Sequence, residues 1–138
     1  MEVEFALLAD SAQASEGKVY ILGGGIDKIF AKAFPTTHPQ MALALKLKLD
    51  SSECEREHAL EIELWDADGN PAGPKISAKF EAPREDLGRP SYVQLILNIV
   101  GQTFKAAGDY AYKILVDGHL LKTLPLHLVE RPDAQSKD

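Results

Sequence analysis

Cysteine is nearly absent: the 138-residue chain has one, Cys54. A single thiol closes no internal disulfide, so no disulfide framework is expected. Cys54 sits in Glu53-Cys54-Glu55-Arg56-Glu57, where neighbouring carboxylates disfavour a thiolate, and an inert loop residue is predicted. Long apolar runs are also missing; none approaches the roughly 18 residues that span a bilayer. The opening MEVEFALLAD carries glutamates where a secretory signal carries basic residues, which predicts no signal peptide and a cytoplasmic protein. Basic runs are missing too. The 15 Lys and Arg are scattered against 21 Asp and Glu, for a net charge of -6. Nucleic acid and anionic membranes are bound largely through cationic surface, so the charge predicts no nucleic-acid partner and no membrane partner.

Motifs of chemistry are scarce. In VYILGGGIDK, Gly23-x-Gly25 begins a dinucleotide fingerprint, but Lys28 occupies the third glycine position. No phosphate-loop spacing occurs. His38, His58, His119 and His127 have none of the usual metal-ligand spacings, and all four are expected at the surface. No G-x-S-x-G nucleophile turn is present. Asp66-Ala67-Asp68-Gly69-Asn70 resembles the first half of a calcium loop, but position twelve is Ser77 instead of glutamate, and the Asp-Gly reads as a hairpin turn serving backbone geometry. The sequence therefore predicts no enzyme, no cofactor and no metal. A histidine meeting a carboxylate, such as His58 or His119 with Asp68 or Asp117, is the one enzymatic arrangement left to a fold that assembles distant residues.

What the chain does have is alternation. Met41, Leu43, Leu45, Leu47 and Leu49 point one way, and Ala42, Ala44, Lys46 and Lys48 the other. Side chains on a strand alternate faces, so this is a half-buried strand. The same period marks Val3, Phe5 and Leu7; Leu60, Ile62 and Leu64; Ile76, Ala78 and Phe80; and Val93, Leu95, Leu97 and Ile99. It continues in Tyr110, Tyr112, Ile114 and Val116, and in Leu124, Leu126 and Leu128. Asp68-Gly69 and Asp117-Gly118 predict hairpins joining 58–66 to 75–82 and 109–116 to 119–128. Regular turn spacing predicts an all-β antiparallel sandwich of eight or nine strands, as one domain over residues 1–130 with a frayed polar tail over 131–138. Residues 26–34 pull the other way. Ile26, Ile29, Phe30, Ala33 and Phe34 have helical spacing, but two isolated turns are marginal, and the glycines read as a bend between strands. Tyr110, opening a strand after Gly108-Asp109, resembles a tyrosine corner and points to an immunoglobulin-like sandwich; a plain core aromatic is the alternative.

Several stretches together resemble a bacterial domain-of-unknown-function family: MEVEFALLAD, Val19 to Gly25, Phe34 to Pro39, Asp66 to Gly69, Leu97-Asn98, and Gly108 to Gly118. The resemblance spans residues 1 to 129. It implies a small cytoplasmic β-sandwich with extended structure near residues 26–34, and it implies no activity.

Trp65 is out of phase with its strand, sharing a face with Glu61 and Glu63, and Ile96, Val100 and Leu115 are likewise apolar in the outward phase. Trp65, Ile96 and Leu115 are the predicted partner-contact residues, forming a surface patch if they cluster; the alternative for Trp65, favoured because large aromatics are usually mostly buried, is a bulge returning it to the core or cover by a loop. The expected function is a non-catalytic protein-interaction or assembly module, possible as a homo-oligomer. The alternative is a small-ligand or calcium-binding module using the Asp66–Asn70 turn.

Overall fold

The computed structural model describes residues 1–133. Among them nine strands form: β1 (Glu2–Ser15), β2 (Lys18–Gly24), β3 (Lys28–Ala31), β4 (Thr36–Leu49), β5 (His58–Asp66), β6 (Ile76–Phe80), β7 (Ser91–Phe104), β8 (Gly108–Val116) and β9 (His119–Glu130). They make two sheets, of order β2-β1-β4-β7 and β3-β9-β8-β5-β6. Residues 134–138 of the predicted tail lie outside the described residues. At its start the Arg131 N–H donates to the Ala31 carbonyl at 2.8 Å. The Arg131 guanidinium also lies 4.0 Å over the Phe30 ring. No helix among the described residues is long and apolar enough to cross a membrane.

The alternating segments supply the core. Met41, Leu43, Leu45, Leu47 and Leu49 of β4 are fully buried against Leu60, Ile62 and Leu64 of β5, Tyr112 and Ile114 of β8, and Leu126 and Leu128 of β9. Both predicted hairpins are present, β5 with β6 and β8 with β9. The all-antiparallel expectation fails at one place, because β3 runs parallel to β9, Lys28 opposite His127 through Ala31 opposite Glu130. The helical spacing of residues 26–34 therefore belongs to an extended segment. Pairing along β9 gives its backbone partners that two isolated helical turns cannot hold in water.

The glycines of VYILGGGIDK make that crossing. Gly23 and Gly25 have φ of +65° and +90°, conformations in which a side chain is strained. The N–H groups of Gly25 and Ile26 both donate to the Leu8 carbonyl, and the chain then leaves the first sheet for the second. The same bend frees the β1–β2 hairpin. β1 pairs with β4 only as far as Ala9 opposite Ala42. Beyond that point the hairpin folds back over the outer face of the four-stranded sheet. Its tip is fixed there by Gln94 of β7, whose side-chain amide donates to the Gly17 carbonyl at 2.6 Å. A Cβ on Gly24 would lie 2.8 Å from Ile21 Cγ2 and 3.4 Å from Leu7 Cδ1, so the glycine lets the arm close on the sheet. The arm explains why Ala42 and Ala44, in the outward phase of β4, are fully buried.

Candidate functional site

The three predicted contact residues do not form one surface. Trp65 and Leu115 stand on the outer face of the five-stranded sheet, opposite Ala111 and Glu61. Ile96 stands opposite Ala44 on the outer face of the other sheet, with the whole core between. Trp65 is not returned inward by a bulge: Leu64 beside it is buried and the β5–β8 register runs unbroken. It is half-buried by its own neighbours instead. Its indole N–H donates to Glu63 at 3.0 Å, and the Lys113 ammonium lies 4.4 Å over its ring. Lys75 meets Glu61 and Glu63 at 3.5 Å each. This face is a charge-laced lattice in which the tryptophan carries the lysine stem and ammonium, an arrangement of packing and cation–π attraction. Leu115 lies opposite Leu120, forming a small apolar spot beside it.

The histidines correct a second expectation. His58 is buried, 1% exposed. It lies in phase with Leu60, Ile62 and Leu64, and that spacing was the signal for burial. Its Nδ1 is 2.7 Å from Asp117 Oδ2 and its Nε2 is 2.7 Å from the Glu53 carbonyl. Both partners only accept hydrogen bonds, so both ring nitrogens donate and the ring is an imidazolium. Burial opposes this charge, but the Asp117 and Glu53 hydrogen bonds outweigh it and hold the His58 pKa above the ordinary 6.5. The His58 hydrogen bond, with the Ala59 N–H, holds the Asp117 carboxyl below the ordinary 3.8. The ring stacks on Phe80 at 5.4 Å between centroids. The histidine–carboxylate pair conceivable for an enzyme thus exists, but every ring nitrogen is occupied and walled off. What it does is tie the β4–β5 connection to the β8–β9 turn.

The remaining histidines and turns are local. His127 bonds Asp109 at 2.5 Å on the surface, His119 is exposed, and His38 is half-buried. Cys54 is buried in its loop, its thiol donating to the Asp50 carbonyl. Asp66 Oδ1 accepts the N–H groups of Asp68 and Asn70, at 3.0 and 2.9 Å. The carboxylate therefore serves its own turn, the geometry an Asx turn requires. Among the described residues no three His, Cys, Asp or Glu side chains are grouped to hold a metal ion.

One element stands apart. β7 is a sheet edge of 14 residues, SYVQLILNIVGQTF, without a charge or a proline. The other edges are short or guarded. β3 has four residues beginning with Lys28. β6 has five, containing Lys79 and preceded by Pro74-Lys75. β2 has seven, beginning at Lys18 and bent by Gly23. Across the seam from β7 lies β6, and β7 reaches only the loops that flank it. Gln102 donates to the Thr103 carbonyl and, more weakly, to Ala72 at 3.4 Å, and Ser91 donates to Pro83 at 2.6 Å. No backbone ladder joins the two strands. Consequently Val93, Leu95 and Leu97, which point inward opposite Leu47, Leu45 and Leu43, are only half-buried. On the outer side Val100 is 71% exposed. Sequence reasoning singled out Ile96 on this strand for its phase; the more telling signal was the uncharged run itself.

The family of unknown function DUF6941 matches residues 4–129, and the chain belongs to it. No curated protein matches. Among solved structures, similarity extends to the Pseudomonas fluorescens alkylpurine DNA glycosylase AlkC bound to DNA containing an abasic site analog. That likeness has 12% identity and a TM-score of 0.46, over 74% of this chain and 27% of that one. Because that structure is a DNA complex, the expectation of no nucleic-acid partner, drawn from net charge, is withdrawn. A likeness at this level carries no argument for such a partner either.

Proposed function

We propose that this chain is a non-catalytic, cytoplasmic protein-interaction or assembly module on an immunoglobulin-like sandwich. The observation that carries the reading is β7, a long sheet edge with no charge and no proline. Exposed edges offer unpaired backbone donors and acceptors, and proteins ordinarily blunt them with lysine, proline or short length. An edge left open over 14 residues suits strand addition, in which backbone bonds give affinity and alternate side chains give specificity. The half-buried Val93, Leu95 and Leu97 add apolar area that a partner strand covers. Support for the immunoglobulin-like reading comes from Tyr110, whose hydroxyl donates to the Ala106 carbonyl four residues upstream at 2.8 Å. That bond has the form of a tyrosine corner.

Capture by tagged protein from native lysate, read by quantitative mass spectrometry, tests the reading. Asn98 is exposed on β7, and Asn98→Lys places a gatekeeper charge there. The expected result is one near-stoichiometric partner, an untagged copy of the chain included, that is lost with Asn98→Lys and kept with Trp65→Ala. A partner retained by Asn98→Lys and lost by Trp65→Ala moves the contact to the other sheet and overturns the assignment to β7.

A further inference from the structure

We propose that the occupant of the β7 edge is a second copy of this chain, with two β7 strands running antiparallel across a twofold axis. The inference rests on β7 being the interaction element and adds the identity of its partner.

Charge is the first argument. Each copy carries a net charge of -6, so two copies repel unless they meet where the surface is neutral. β7 carries no charge of its own, and although the Lys46 ammonium lies 4.9 Å over the Tyr92 ring near its start, the middle of the strand is neutral, which the ion-paired outer face of the five-stranded sheet is not. In a twofold interface the same patch appears on both sides, so any charge near the axis faces its own copy. A strand without charges has no such like-charge pair to accommodate.

Side-chain pattern is the second. Antiparallel pairing sets the inward row Val93, Leu95 and Leu97 beside the same row of the other copy, and it covers apolar surface that five-residue β6 leaves half-open. With the axis near the middle of the strand, the outward row sets Ile96 near its own equivalent and Gln94 across from Asn98 of the other copy, so isoleucine meets apolar surface and no charges meet. Because the ends of β7 are held to the protein's own loops through Ser91 and Gln102, the shared ladder runs through the middle of the strand. The two four-stranded sheets become one continuous sheet, with neither β7 left as an edge.

Two measurements on the purified full chain test this. Sedimentation velocity over a concentration series gives the dissociation constant. Single cysteines placed in turn at Tyr92, Gln94, Asn98 and Val100, in a Cys54→Ser background, report by oxidative cross-linking which position lies beside its own copy. The expected result is a concentration-dependent dimer whose cross-linking peaks at one β7 position and falls away on both sides, as antiparallel twofold pairing requires. Asn98→Lys, at an exposed site, should raise the dissociation constant roughly tenfold, because the dimer carries the new charge twice. A monomer at every concentration overturns the second copy as occupant. So does a dimer that cross-links no β7 position and ignores Asn98→Lys. A monomer that still captures a lysate partner through Asn98 leaves the module reading intact; one that captures nothing removes both.

Discussion

His58 and Asp117 titrate in opposite directions, and this gives stability a pH signature. A histidine whose pKa is raised by folding contributes fully below its unfolded value, near 6.5, and loses the contribution as pH rises through the raised value. A carboxylate whose pKa is lowered contributes above its unfolded value, near 3.8, and loses it as pH falls through the lowered value. The pair is therefore strongest between those two values. Asp117 has φ of +51°, a conformation asparagine tolerates, so Asp117→Asn removes the charge and keeps the turn. We expect the variant to lose about 2 kcal/mol near pH 6, a figure kept modest because the carboxylate is partly exposed. We also expect a smaller difference at a second pH above the raised value, where the wild-type histidine gives up its proton. Urea midpoints at both pH values check this; an equal loss at both removes the imidazolium from the account. Trp65 shows the complementary lesson. Its phase told correctly which face it occupies, while its cover depends on Lys113, which only the β5–β8 register brings over the ring.

At the scale of elements, strands with a clean alternation were legible and strands shaped by crossing were not. β4, β5 and β8 each carry an uninterrupted apolar row, because one face of each meets the core. β3 carries no such row; its direction is decided by where the glycine bend delivers the chain beside β9. The predicted strand at 41–49 in fact begins at Thr36 and runs through Pro39. That proline is tolerated because β1 has already left β4 at Ala9, so β4 is an edge there. Pro125 in β9 is placed alike, since β3 pairs with β9 only from His127 onward. The arm that β1 and β2 form was hidden for the same reason: nothing in its pattern marks a hairpin that folds over the back of a sheet. Its hinge is testable. Gly17 and Gly23 both have positive φ, but a Cβ on Gly17 meets nothing within 4 Å, and one on Gly23 lies 2.3 Å from Asp10 Oδ2. Gly17→Ala should cost about 1 kcal/mol for backbone strain alone. Gly23→Ala should cost more, by up to about 1 kcal/mol, since the Asp10 carboxylate must also rotate away. Denaturant midpoints of the two variants compare them directly, and equal losses mean that the hinge has room the present geometry denies.

The whole molecule has two outer faces of different character, and salt distinguishes which of them meets a partner. The five-stranded sheet presents ion pairs of Lys75 with Glu61 and Glu63, and of Lys79 with Glu57. An assembly through that face exchanges surface charges between copies and weakens as salt screens them. The four-stranded sheet ends in uncharged β7, where the contact is backbone hydrogen bonding and apolar burial. Neither is much affected by screening, and the residual effect has the opposite sign, since salt reduces repulsion between two chains of net charge -6. Raising ionic strength from about 0.05 M to about 0.5 M shortens the screening length from above 10 Å to a few ångströms. Over that range the dissociation constant of a β7 dimer should stay level or fall, by less than about tenfold. Sedimentation velocity at the two salt concentrations measures it, and a rise in the dissociation constant with salt assigns the contact to the ion-paired face.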